Sequence, residues 1–95
     1  MRSGFVYILT NRRNGTLYIG VTGNLVECIR QHKEGHGSDF TGKYGLSILV
    51  WFETFAFASD AIPRETSLKR WPCKWKLALI EKTNPYWRDL FWDLV

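Results

Sequence analysis

The stretch Phe5-Val6-Tyr7-Ile8-Leu9-Thr10, then Asn11-Arg12-Arg13-Asn14-Gly15, then Thr16-Leu17-Tyr18-Ile19-Gly20-Val21-Thr22 decides the fold. Two apolar, β-prone runs flank an Asn-Gly pair. That is the strongest short-range signal for a hairpin, because its turn needs residues that tolerate positive φ. A two-residue Asn14-Gly15 loop sets residue 9 opposite 20 and residue 7 opposite 22. Opposed residues share a face and side chains alternate along a strand. Tyr7, Leu9, Tyr18 and Gly20 therefore share one face. Val6, Ile8, Leu17, Ile19 and Val21 share the other, which is wholly apolar. The first face carries two phenols and a glycine, an unusual surface for packing alone.

Working outward, Asn24-Leu25-Val26-Glu27 reads as a capping box that starts a helix, with Asn24 as N-cap and Glu27 reaching back. Leu25, Cys28, Ile29 and His32 fall on one face of it. Gly35 and Gly37 end it, and residues 36–45 read as a glycine-rich connection carrying Phe40, Lys43 and Tyr44. Leu46 to Thr54 is nearly continuously hydrophobic, which suggests a central strand covered on both faces. Ser59 and Asp60 offer an N-cap for a helix to about Arg70, with Pro63 in its first turn. Pro72 closes that helix and opens another to about Lys82. Asn84-Pro85 interrupts, and residues 86–95 read as a short C-terminal helix. The order β-β-α-β-α-α describes one α+β domain spanning 1–95, with a small, largely antiparallel sheet.

Ninety-five residues suffice for one domain and not two. Five Trp, four Tyr and six Phe exclude a disordered chain, which would be poor in aromatics. The net charge of +4 suits a polyanionic partner without requiring one. Two cysteines, two histidines and no CxxC argue against a disulfide framework and against structural zinc. The opening apolar run is too short for a signal peptide, and no stretch approaches the ~20 apolar residues of a membrane span. A soluble cytoplasmic protein without membrane contact is expected; oligomeric state is left open.

Glu65 lies on the same helical stripe as Ala61 and Leu68, so its carboxylate must be paired, edge-exposed or metal-bound. A pairing with Arg64 or a neighbouring Lys is the plain alternative to a metal. His32 on an apolar helix face is most simply a core histidine, and Gly20 most simply marks a close backbone approach.

The combination says more. Val6-Tyr7, ten residues, Tyr18-Ile19-Gly20, a helix with His32, and Arg64-Glu65 on a later helix resemble the GIY-YIG nuclease family. The chain is most similar to its small single-domain members, related to the catalytic module of the excinuclease C subunit. Residues 14–22, 40–45, 49–51 and 84–90 resemble that subgroup, so the likeness covers nearly the whole chain. The resemblance implies a three-stranded antiparallel sheet flanked by helices. It implies hydrolysis of DNA phosphodiesters, with RNA as an alternative substrate, using one Mg²⁺ or Mn²⁺. By the resemblance Glu65 holds the metal. Tyr7 and Tyr18 flank the scissile phosphate, one of them as general base or as orienter of water. Gly20 lets the phosphate approach, and His32 sits one turn beyond the family's arginine. Lys43 and Asn84 match positions that line or support the pocket, and Arg64 and Lys69 are further candidate contacts to nucleic acid.

Two departures stand out. Phe5-Val6-Tyr7 replaces Gly-Ile-Tyr, a change that leaves Tyr7 in place. More seriously, Cys28 occupies the arginine position, and a thiol cannot neutralise phosphate charge. Loss of such a donor costs ~10²–10³ in rate, or about 3–4 kcal/mol. Arg30 lies about 200° around the helix from Cys28 and faces elsewhere, which leaves Arg64, Lys43 and Lys69 as substitutes. Two other functions fit these residues. One is a nuclease fold that holds DNA without cutting it, suggested by the basic residues Lys69, Arg70, Lys74 and Lys76. The other is an interaction domain, suggested by the aromatic tail Tyr86-Trp87 and Phe91-Trp92.

Overall fold

A computed structural model describes residues 3–35 and 39–95. Strands β1 (Gly4–Thr10), β2 (Leu17–Thr22) and β3 (Ile48–Phe55) form one antiparallel sheet in the order β2-β1-β3. The helices are α1 (Leu25–Lys33), α2 (Asp39–Tyr44), α3 (Ala58–Arg70), α4 (Cys73–Thr83) and α5 (Phe91–Leu94).

The hairpin register differs from the expected one by two residues. Tyr7 opposes Gly20 and Leu9 opposes Tyr18, so the connection runs over residues 11–16. A turn closes at Arg12–Gly15, where the Gly15 N–H donates to the Arg12 carbonyl at 2.9 Å and Asn14 takes φ 57°. The Asn11 side chain accepts from the Thr16 N–H at 3.2 Å, and Thr10 Oγ1 donates to the Arg12 carbonyl at 2.8 Å. These side-chain bonds favour the longer loop over a two-residue turn. Because the side-chain period is two, a shift of two leaves every residue on its expected face.

The sheet is covered on both faces. Val6, Ile8 and Ile19 pack with Ala61 and Leu68 of α3 and Ile80 of α4. Tyr7 and Leu9 pack with Leu25 and Ile29 of α1 and with Phe91. The strand expected to be central, β3, is instead an edge; β1 is central. Its continuous hydrophobicity reflects helices on both faces plus a cover along its free edge. That cover is the segment 84–90. Asn84, 3% exposed, donates Nδ2 to the Val50 carbonyl at 3.1 Å and to the Arg88 carbonyl at 2.8 Å. The Leu90 N–H donates to the Leu49 carbonyl at 2.7 Å, and Asp89 Oδ1 accepts the Leu49 N–H at 3.2 Å. The β1–β3 register shifts at Ile8/Leu9, where Val50 is the extra residue. The tail thus satisfies the backbone groups that a bulged edge leaves open.

Other boundaries moved. The Asn24 side chain accepts the Glu27 N–H at 3.2 Å, as a cap should. Glu27 does not reach back, because it pairs with Arg30 and Gln31. Part of the expected glycine-rich connection is helix α2, while His36 and Gly37 lie outside the described residues. Helix α3 begins at Ala58 with Phe57 at its N-cap, so Pro63 sits in its second turn and not its first. The C-terminal helix shrinks to Phe91–Leu94, since residues 84–90 serve as the edge cover. No helix among the described residues is long and apolar enough to cross a membrane.

Asn84→Ala is expected to lower unfolding stability by about 2–3 kcal/mol, because it strips partners from a buried carbonyl. Tyr86→Ala, at a residue 80% exposed, is expected to change it by less than about 0.5 kcal/mol. Urea unfolding of the two variants measures the difference.

Candidate active site

Tyr7 projects from β1 on the face covered by α1, and its ring lies across Gly20 of the neighbouring strand. A Cβ on Gly20 would come within 2.4 Å of the phenol oxygen and 2.5 Å of Cζ. The glycine is therefore a seat for the Tyr7 ring. The close approach expected at Gly20 is made by the chain's own phenol.

Helix α1 closes the other side. Cys28 and His32 stand one turn apart on its inward face. The Cys28 thiol donates to the Tyr7 oxygen at 3.4 Å, and His32 Nε2 lies 3.4 Å from the same oxygen. Tyr18 completes the cluster. Its ring centroid is 6.3 Å from that of Tyr7 and 6.0 Å from that of His32, and the Tyr7 and His32 centroids are 6.1 Å apart. The four residues Tyr7, Tyr18, Cys28 and His32 form one group. Tyr7 is 3% exposed, while Tyr18, Cys28 and His32 are half-buried and so open toward solvent.

The electrostatics follow from that burial. Desolvation pushes the Tyr7 phenol well above its ordinary 10, aided first by the Cys28 thiol and more weakly by Tyr18 and Glu65. Desolvation also lowers His32 below its usual 6.5, so its imidazole is neutral at pH 7. Cys28, where the resemblance places an arginine, thus puts a thiol against the phenol oxygen.

Glu65 comes from elsewhere. Its helix α3 packs through Ala61 and Leu68 on the Val6–Ile8 face, opposite the tyrosine cluster. Helix α3 thus lies on the side of the sheet away from α1. The carboxylate still lies close enough to disfavour ionisation of Tyr7. Its side chain is 16% exposed and bonds Lys69 Nζ at 3.2 Å. The lysine pairing weighed from the sequence is thus made. Among the described residues no three His, Cys, Asp or Glu gather as a ready metal cage.

The remaining candidates scatter. Arg64 turns to the β3 side, bonding Glu53 at 2.9 Å and lying 5.3 Å from the Trp71 ring centroid. Asn84 is buried in the β3 edge bulge, where it supports the sheet. Lys43 is exposed on α2, 5.5 Å from the Tyr44 ring centroid. Lys69 alone stays near the cluster. With Lys76, which sequence reading did not single out for the site, it lines a shallow recess beside Leu17, Tyr18 and Ile19. Lys76 Nζ donates to the Lys69 carbonyl at 3.4 Å, tying α4 to the end of α3.

Residues 3–78 match the family described as the GIY-YIG catalytic domain. The UPF0213 protein of Staphylococcus haemolyticus is 34% identical over 82 residues, covering 86% of this chain and 99% of that protein. The UPF0213 protein of Clostridium perfringens is 38% identical over 80 residues, covering 84% and 85% of the two chains. The solution structure of the UPF0213 protein from Bacillus halodurans superposes with a TM-score of 0.57 at 25% identity, covering 92% of each chain. A sheet with two tyrosines on one face, a capped helix laid over them and a glutamate on the next long helix thus has its kin: the chain belongs to the GIY-YIG superfamily of nuclease-type domains, among the UPF0213 proteins.

Proposed function

We propose that the Tyr7–Tyr18–His32 cluster is a phosphodiester-hydrolysing centre that acts on DNA with one divalent cation, at a rate held low by Cys28. The observation that carries this reading is the Tyr7 oxygen lying 3.4 Å from both His32 Nε2 and Cys28 Sγ, beside the open Tyr18 ring. Phenol, imidazole and a mouth toward solvent provide proton donors and an acceptor around one point.

Tyr7 acts in its protonated form. Its buried phenol is too weak an acid to be a base at pH 7, so it orients water or phosphate by hydrogen bonding. His32, kept neutral by burial, is the nearest group able to accept a proton at that pH. Tyr18 and Lys69 flank the approach, and Lys69 and Lys76 offer positive charge beside it.

Glu65 is the residue that would hold the cation. A single carboxylate suits Mg²⁺ or Mn²⁺, which take one or two carboxylates and complete their shell with waters and substrate phosphate oxygens. Bound there, the cation supplies charge stabilisation to the scissile phosphate. Lys69 would have to release the carboxylate, and it would then be free to meet the phosphate.

Nicking of supercoiled plasmid with Mg²⁺ or Mn²⁺ tests the reading. Slow, metal-dependent nicking is expected from this chain, and Cys28→Arg is expected to accelerate it by ~10²–10³. Glu65→Gln should abolish it in both backgrounds. Absence of nicking by both the chain and its Cys28→Arg variant would overturn the proposal.

Alkaline titration gives a second check. The raised phenol binds its proton more tightly folded than unfolded, so its stability contribution is full below pH ~10 and is lost as pH climbs beyond. Tyr7→Phe should flatten that alkaline loss. A guanidinium at position 28 favours the phenolate, so Cys28→Arg should move Tyr7 ionisation to lower pH in an ultraviolet difference titration.

A further inference from the structure

The turn between α3 and α4 carries a second surface, remote from the Tyr7 cluster in its chemistry. Residues 69–82 hold five basic side chains (Lys69, Arg70, Lys74, Lys76 and Lys82) against one acid, Glu81. That local excess of four equals the net charge of the whole chain, +4. Glu81 is engaged by the Trp87 indole, which donates to it at 2.9 Å. Set within this positive field, Trp71 and Trp75 meet edge to face, with centroids 5.8 Å apart and planes at 82°. Together with Ala78, Leu79 and Lys82 they line an open, largely apolar hollow with one lysine in its wall. Trp75 is 52% exposed, an unusual cost for an indole that packing alone does not explain.

Exposed indoles in a basic setting match the chemistry of unpaired nucleobases. Each base presents a flat π-face to an aromatic ring, and its phosphate meets a neighbouring cation. Two perpendicular indoles make a corner in which one base stacks on one ring and abuts the other. The same helix α4 carries Lys76 round to the recess beside Tyr18. A strand leaving that recess would meet the cations of this turn next.

We propose that the Trp71–Trp75 corner is a stacking platform for single-stranded DNA, so that the substrate of the Tyr7 site has an unpaired segment beside the cleaved bond. This rests on the reading of that site as one for nucleic acid. Charge complementarity selects the occupant: a turn with five basic residues against one acid suits a polyanion, and a duplex hides its base faces.

Fluorescence anisotropy of a labelled oligothymidylate, against a duplex of equal length, tests it with the full chain. Trp75→Ala is expected to weaken single-strand binding about tenfold and to change duplex binding by less than about twofold. Lys74→Ala with Lys82→Ala should lower the salt dependence of single-strand binding. Trp92→Ala, at an indole 63% exposed on the C-terminal helix, should leave both unchanged. Equal loss for both forms of DNA, no effect of Trp75→Ala, or no binding by the parent chain would overturn the platform. So would a dimer that Trp75→Ala dissociates without altering DNA binding. Plasmid nicking with no Trp75 effect would sink the platform and spare the Tyr7 centre. A Trp75-dependent single-strand affinity without nicking would do the reverse.

Discussion

The ring of Tyr7 lies across Gly20, where any side chain would collide with the phenol, and the site is assembled on that contact. It requires β1 and β2 to pair in one register, with Tyr7 opposite Gly20. It fixes the phenol oxygen at the height where α1 presents Cys28 and His32. It also buries the ring, which makes ionisation costly and fixes the proton on the oxygen. One missing methyl group on β2 therefore sets position, protonation state and neighbours together.

The face assignment was legible because it depends only on parity. A two-residue error in the turn moved no side chain across the sheet, whereas a one-residue error would have exchanged the apolar face for the tyrosine face. The inward stripe of α1 was legible for the same reason, since Leu25, Cys28, Ile29 and His32 follow the helical repeat. What could not be read was which backbone edge stays open. Continuous hydrophobicity in β3 says that water is excluded, and helices plus a tail exclude it as well as two flanking strands do. The role of Asn84 was hidden likewise, because its partner carbonyl at Val50 exists only once β3 bulges.

Glu65 shows where periodicity misleads about a site. It shares a stripe with Ala61 and Leu68, and this correctly marks it as poorly exposed. Yet the stripe packs on the face away from Tyr7. Its charge nevertheless opposes ionisation of Tyr7. Charge reaches several ångströms through a poorly solvated region, so a residue on the far face still belongs to the electrostatics of the cluster. Sequence spacing alone gives the face and is silent on that reach.

With a thiol at Cys28 beside the phenol, the charge near the site depends on where the cations are engaged. Arg64 is held by Glu53 and the Trp71 ring, and Lys33 is held by Asp89 and the Ser47 carbonyl. Arg30 is held between Glu27 and Glu34. Each of these pairs braces the fold and keeps a positive charge away from the phenol. Lys69 differs, because its partner is Glu65 itself, the carboxylate proposed to hold the metal. If Glu65 held a divalent cation, Lys69 would lose this partner and be left beside the recess that Tyr18 lines. Lys69 is long and flexible where the family's arginine is a planar fork, so it would supply charge without bidentate geometry. On the proposed reading, the site would keep attraction for phosphate while lacking a fixed donor for the transition state, so that binding and rate would separate.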